Sequence, residues 1–177
     1  MDGITHPTSR QFLREIAGKF RERFLQTGLY VNVLSLMEVF PLYFPKCLIL
    51  IVPDEELDEE IPTTIEENLA DVEETYTIRI KESVYERAYH GSGGDRMHIV
   101  HEMAHYLLIE EYGFKPITAR SYGNIYVKYT PSSMEWQAKA LAGEIMMPYD
   151  LTFEMDFSEI VQKCGVSVET AVKRTRY

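Results

Sequence analysis

Two histidines four residues apart, His101 and His105, constrain this chain more than any other feature of its sequence. They lie within residues 95–111, where apolar side chains recur at helical spacing and predict a helix. At positions i and i+4 both imidazoles project from one helix face, so a single metal ion can bind between them. Glu102 lies about a quarter-turn away, where it can contact a metal-bound water instead of the metal.

The HExxH pattern formed by residues 101–105 has a competing interpretation, an ordinary core helix with two hydrogen-bonded histidines. A capping pattern, Ser92…Asp95, predicts where this helix begins. His98 lies near the same face as His101, but three ligands from one helix suit a tetrahedral ion poorly. We therefore expect His98 to have a structural role or to support a ligand, and we expect the third ligand to come from elsewhere in the chain.

The third ligand does not follow the extended pattern HExxHxxGxxH, because a leucine and Glu111 occupy its glycine and third-histidine positions. The helix is expected to continue and to carry Glu111 away. The next acidic residues, Glu135 and Glu144, lie on one predicted helix, residues 132–147, about 180° apart. The apolar residues of that helix place Glu135 nearer the inward face and Glu144 away from it, so Glu135 is the candidate ligand. A capping box with Ser132 would explain Glu135 without a metal.

The remaining patterns predict one helix-rich α+β domain over residues 1–177, with a small mixed or antiparallel sheet. Further helices are predicted over residues 9–26, 32–40, 157–163 and 167–175, strands over 47–52 and 75–80, and irregular or β structure over 115–130. The strand over residues 47–52 is expected to be buried, and Pro41 is expected to end the second helix. The strand over residues 75–80 is either the edge strand that an extended substrate pairs with or an ordinary internal strand.

The acidic charge of the chain is concentrated in one segment. The net charge is −10, and residues 54–74 hold 11 acidic residues with no lysine or arginine. This balance excludes a general nucleic-acid-binding protein and predicts no direct contact with nucleic acid. We interpret residues 54–74 as an acidic loop or insertion, since charge runs usually form solvated loops. A decoy that mimics DNA through this segment is the alternative.

The cysteine content and the N-terminus bear on location. Two cysteines are too few for a disulfide scaffold and favour a reducing compartment. The N-terminus has no basic region followed by an apolar stretch, and the longest apolar run is too short to cross a bilayer. The sequence therefore predicts a cytoplasmic protein that does not contact membranes.

Three stretches resemble, in order, the motifs of the ImmA/IrrE family of zinc metallopeptidases. Residues 96–108 read RMHIVHEMAHYLL, similar to RFTxAHELGHxLL. Residues 135–148 read EWQAKALAGEIMMP, similar to ExxANxFAxxLLMP. Residues 164–174 read CGVSVETAVKR, which is similar to FxVSxxAAxxRL but is weak alone. Ala104, Lys139 and Leu141 replace the Gly, Asn and Phe of the family patterns.

The resemblance implies a zincin-like active-site helix that binds one Zn²⁺ per chain. It implies His101, His105 and Glu135 as zinc ligands and Glu102 as the general base. Members of this family are best known for cleaving helix-turn-helix repressors, so the implied partner is a protein substrate, a DNA-binding repressor.

The predicted function is that of a zinc-dependent endopeptidase. Cleavage of the repressor would switch on stress, phage or mobile-element genes. The alternative is a non-hydrolytic repressor-binding module, an anti-repressor with a structural or vestigial metal site. The presence of Glu102 favours the enzyme, because a pure binding protein needs no general base.

Overall fold

The computed structural model describes residues 4–24, 28–69, 73–114 and 131–174. Their helices are α1 (Arg10–Arg23), α2 (Val33–Tyr43), α3 (Glu82–Tyr89), α4 (Gly93–Tyr106), α5 (Met134–Met146), α6 (Tyr149–Thr152), α7 (Phe157–Cys164) and α8 (Val168–Arg174). Their strands are β1 (Cys47–Val52), β2 (Thr63–Glu67) and β3 (Tyr76–Lys81). The predicted helix-rich α+β class with a small mixed sheet is confirmed. The prediction for residues 115–130 falls outside the described residues.

The sheet has the strand order β1-β3-β2, with β3 in the centre. Strand β1 runs parallel to β3, whereas β2 runs antiparallel to it. Of the two interpretations of residues 75–80, the internal strand is therefore the right one. The edge strand on the other side is β2, which lies within the acidic segment 54–74 together with a 3₁₀ turn, Asp54–Glu56, so this segment is not simply the loop that its charge predicts.

Strand β1 is less buried than its apolar sequence predicts. Cys47 and Val52 are buried, but the Leu48 side chain is about half exposed, and Leu50 and Ile51 are exposed as well. The reason is the position of β1 in the sheet, because it is an edge strand and pairs with β3 on one side only. An unbroken apolar run does not by itself distinguish a central strand from an edge strand.

Helix α2 continues beyond Pro41 to Tyr43, so the prediction that Pro41 ends it is wrong. A proline in the last turn removes only one backbone donor, and a helix tolerates this loss near its end better than in its middle. Phe40 holds this turn in place, since its ring packs against Phe44 and Tyr106 and its carbonyl accepts from the Phe44 N–H.

Helix α4 lies at the centre of the fold, between the sheet and α5. It contacts α5 on one side, β2 and β3 on the other, and α3 near its N-terminus. Its buried apolar residues belong to the main core: Ile99, Val100, Met103 and Ala104. Among the described residues, no helix is both long and apolar enough to cross a membrane.

Candidate metal centre

Helix α4 carries both histidines and begins at a well-defined N-cap. The Ser92 hydroxyl accepts the Asp95 N–H, which confirms the predicted N-cap. One turn of helix separates His101 from His105, and their Nε2 atoms lie 3.2 Å apart. His105 is 1% exposed and His101 is partly exposed, so the pair lies at the boundary between core and solvent.

Helix α5 brings Glu135 to the same point. Its Oε1 lies 3.0 Å from Nε2 of His105, and its Oε2 lies 3.4 Å from Nε2 of His101. The N-cap of α5 is Ser133, whose hydroxyl accepts the Trp136 N–H. Glu135 is therefore the second residue of the helix and not the third, where a capping box requires it.

These three side chains fit a divalent metal ion. One ligand atom from each of His101, His105 and Glu135 lies within 4.8 Å of the others. In a tetrahedral site with bonds of about 2.0–2.1 Å, ligand atoms are about 3.3 Å apart, close to the separations found here. Two imidazoles and one carboxylate are also the donor set of hydrolytic zinc sites that leave a fourth position open.

The ionisation states favour cation binding. Burial lowers the pKa of His105 and keeps its imidazole neutral, the form that ligates metals. Burial alone would raise the pKa of Glu135, but hydrogen bonds from His101 and His105 outweigh it, and the net pKa is lowered. Glu135 is therefore ionised. Lys139 Nζ lies 3.5 Å from Oε2 of Glu135, although this lysine side chain is 63% exposed.

Glu102 lies beside the three-residue group without joining it. The residue is 8% exposed, and its Oε1 accepts a hydrogen bond of 3.0 Å from Oγ1 of Thr63, the first residue of β2. Sequence reasoning missed Thr63, because it lies in the acidic segment and outside every motif. No local pattern connects it with a residue 39 positions later in the chain.

The N-terminal segment supports the start of α5, a second feature that sequence reasoning missed. The Thr5 N–H donates to the Ser132 carbonyl, and Ile4 forms a bridge with Ser133. Gln137 is fully buried and donates from Nε2 to the carbonyls of His6 and Pro131, at 2.7 and 2.6 Å. A glutamine on the apolar face of α5 was the available signal, since a buried amide needs partners.

The other candidate residues lie away from the metal group. His98 is exposed and is not part of it. Glu111 pairs with Arg23 at 2.8 Å, as expected if the helix carries it away. Glu144 is 2% exposed, so the prediction that it faces away from the interior is wrong. Helix α5 has neighbours on more than one side, and Glu144 is buried against α1 and α8.

The third motif, residues 164–174, packs against the start of α4, the helix that carries the histidines. Gly165 has a positive φ of 65°, and its carbonyl accepts from Nη1 of Arg96 at 2.8 Å. A Cβ on Gly93, the first residue of α4, would lie only 2.3 Å from the backbone carbon of Val166. The first turn of α4 and the chain after α7 are therefore in close backbone contact.

Comparisons with known proteins bear on the family of this chain. A search of curated proteins and a search of solved structures each found no match. The family model of the IrrE N-terminal-like domain, Peptidase_M78, matches residues 61–176, which include α4, α5 and the third motif. Since this match covers well over half of the chain, the protein belongs to the Peptidase_M78 family of metallopeptidases.

Proposed function

We propose that this protein is a zinc-dependent endopeptidase whose substrate is a DNA-binding repressor. The observation that carries the proposal is the convergence of His101, His105 and Glu135, with Glu102 buried beside them. A structural metal site has no need of a buried carboxylate next to its ligands, whereas a hydrolytic site needs a general base.

The chemistry follows from the residues present. A zinc ion bound by the three ligands would polarise a peptide carbonyl and make a bound water acidic near neutral pH. Glu102 accepts the proton of the attacking water and later gives it to the leaving amine. Three protein ligands would leave the fourth position of a tetrahedral ion open for water and substrate.

Strand β2 is the proposed docking edge for an extended substrate. It pairs with β3 on one side, and it is an edge strand of the sheet. It also contacts α4 and begins at Thr63, the residue that bonds Glu102. A substrate strand added to this edge would pass close to the general base.

The choice of a repressor rests on the family resemblance and on charge. DNA-binding domains are typically basic, and the acidic segment 54–74 includes β2. Its negative field would attract a basic partner to the proposed docking edge.

The test combines metal analysis with cleavage. Elemental analysis of gently purified protein is expected to find about one zinc per chain. The protein is then incubated with a peptide library and with a panel of purified helix-turn-helix repressors, alongside acidic proteins of similar size. We expect cleavage that a chelator abolishes, that zinc restores and that Glu102→Gln loses while keeping the metal.

Three results would overturn the proposal in whole or in part. Absence of metal after zinc is offered would remove the basis for the enzyme. Zinc-loaded protein that binds a repressor but leaves it intact would instead support the non-hydrolytic binding module. Cleavage of the acidic proteins with equal efficiency would contradict the repressor as substrate and leave a less selective peptidase.

A further inference from the structure

We infer that Thr63 is a positioning residue, whose hydroxyl holds one oxygen of Glu102 so that the other oxygen remains free for proton transfer. This inference rests on the proposed function, because it assigns a part in that reaction to a residue outside the family motifs. The contact joins Thr63 Oγ1 and Glu102 Oε1 at 3.0 Å.

Burial makes this contact more than a surface hydrogen bond. Thr63 is 6% exposed and Glu102 is 8% exposed, so little water can replace the hydroxyl. A carboxylate in such surroundings needs a donor, and it loses rotational freedom when one of its oxygens is bonded. The donor is a neutral hydroxyl, which orients the carboxylate without adding a positive charge next to the metal ligands.

The hydroxyl itself is held in place by strand β2. Thr63 pairs with Ile80 of the central strand, and its side chain lies on the same face as the buried Ile65. Threonine is branched at Cβ, so few χ1 rotamers are available to it in a strand. The position of Oγ1 is therefore set mainly by the backbone of β2.

Lys81 anchors the chain just before Thr63. It is buried, and its Nζ donates to the carbonyls of Asp58 and Glu59 at 2.8 and 3.1 Å. Its backbone N–H donates to the Pro62 carbonyl. The start of β2 is thus tied to the central strand from two directions, which makes Thr63 a fixed support for the Glu102 side chain.

The position of Thr63 also connects the general base with the substrate. Thr63 is on the edge strand to which an extended substrate would add, and Glu102 is on the metal-binding helix. The Thr63–Glu102 bond is therefore a direct link between the proposed docking strand and the proposed base. Such a link favours a fixed distance between the scissile bond and the carboxylate.

The experiment compares three variants. Thr63→Val keeps the shape of the side chain but removes the hydroxyl, Thr63→Ser keeps the hydroxyl, and Thr64→Val changes the neighbouring residue on the opposite face. Each is measured for thermal midpoint, zinc content, and kcat and KM on a peptide that the wild-type protein cleaves. We expect Thr63→Val to lower kcat at least about 10-fold, with KM and zinc content unchanged. Thr63→Ser should stay within a few-fold of wild type, and Thr64→Val should keep the zinc content and thermal midpoint of the wild-type protein.

A second measurement does not depend on activity. In metal-free protein with ¹³C-labelled glutamate carboxylates, the Glu102 resonance is assigned through its loss in Glu102→Gln. We expect this resonance to shift in Thr63→Val and to stay in place in Thr63→Ser and Thr64→Val. An unchanged resonance in Thr63→Val would overturn the contact, even if the wild-type protein proved to bind no zinc.

The two proposals can therefore fail separately. An inactive wild-type protein with the expected resonance shifts would refute the enzyme and with it the catalytic part of this inference, while keeping the contact. Active protein in which Thr63→Val has wild-type kcat, or in which Thr63→Ser fails equally, would refute the positioning role alone.

Discussion

The two ends of helix α5 carry glutamates with opposite surroundings. Glu135, in the first turn, is partly exposed and faces the Nε2 atoms of two imidazoles. Glu144, in the last turn, is buried and pairs with Arg14 at 3.3 Å and with both Nη atoms of Arg174 at 3.0 Å. One helix thus presents one carboxylate to two imidazoles and another to two guanidinium groups.

This difference explains why only one end is a candidate metal site. Two arginines neutralise Glu144 fully, and their planar groups also stack near the Tyr149 ring, which leaves no need for another cation. Imidazoles can ligate metals when deprotonated, so the Glu135 end is the candidate site for a divalent ion. The charge of the partners therefore distinguishes a structural carboxylate from a candidate metal ligand.

The largest expected effect is the loss of metal in Glu135→Ala. Removing one of three ligands should weaken zinc binding by at least about 100-fold, since losing even a supporting partner of a ligand costs about 10- to 100-fold. Competition with a fluorescent chelator measures the affinity. The metal-free variant should keep its thermal midpoint. Zinc binding equal to wild type would show that Glu135 is not a ligand.

Glu144→Ala should instead destabilise the fold and leave zinc binding unchanged. We expect the free energy of unfolding to fall by about 3 kcal/mol, because Arg14 and Arg174 lose the acidic partner they share. Urea unfolding of metal-free protein measures this change, and folded Glu144→Ala should still bind zinc. Glu169→Ala on α8 is the control, because its pair with Lys173 is exposed. Equal stability of the two variants would contradict the structural role of Glu144.

Gln137→Leu tests whether the N-terminal segment supports the Glu135 end of α5. The fully buried Gln137 side chain donates to the carbonyls of His6 and Pro131, and the loss of these two hydrogen bonds should cost about 2 kcal/mol of unfolding free energy. Zinc affinity should fall several-fold as the first turn of α5 loosens. The exposed Gln162→Leu on α7 serves as the control. Normal zinc affinity in Gln137→Leu would show that the contacts of the N-terminal segment with α5 do not affect the metal site.

The smallest effect is expected for Lys139→Asn, which restores the residue type of the family pattern. Removing a positive charge 3.5 Å from Glu135 should strengthen zinc binding by no more than about 5-fold, because the lysine is exposed and screened. The same chelator competition measures it, with Lys163→Asn on α7 as the control. Weaker zinc binding in Lys139→Asn would mean that the lysine supports the carboxylate and does not compete with the metal.

Local spacing predicted much of the candidate site. The i, i+4 relation of His101 and His105, the cap at Ser92 and the inward direction of Glu135 all follow from the geometry of single helices. Predictions that required knowledge of neighbours did less well. The exposure of β1, the burial of Glu144 and the role of Thr63 each depend on which element lies alongside, and no period in the sequence encodes that.

By itself, the sequence determined which helices carry the candidate metal ligands and which faces these side chains occupy. Helix geometry acts over three or four residues, so this information is local. Only the tertiary structure decided that Glu135 reaches His105, 30 positions away in the chain, and that Thr63 meets Glu102. Those distances are set by the packing of α4 between the sheet and α5, where burial of apolar surface holds the elements together and brings their polar groups into contact.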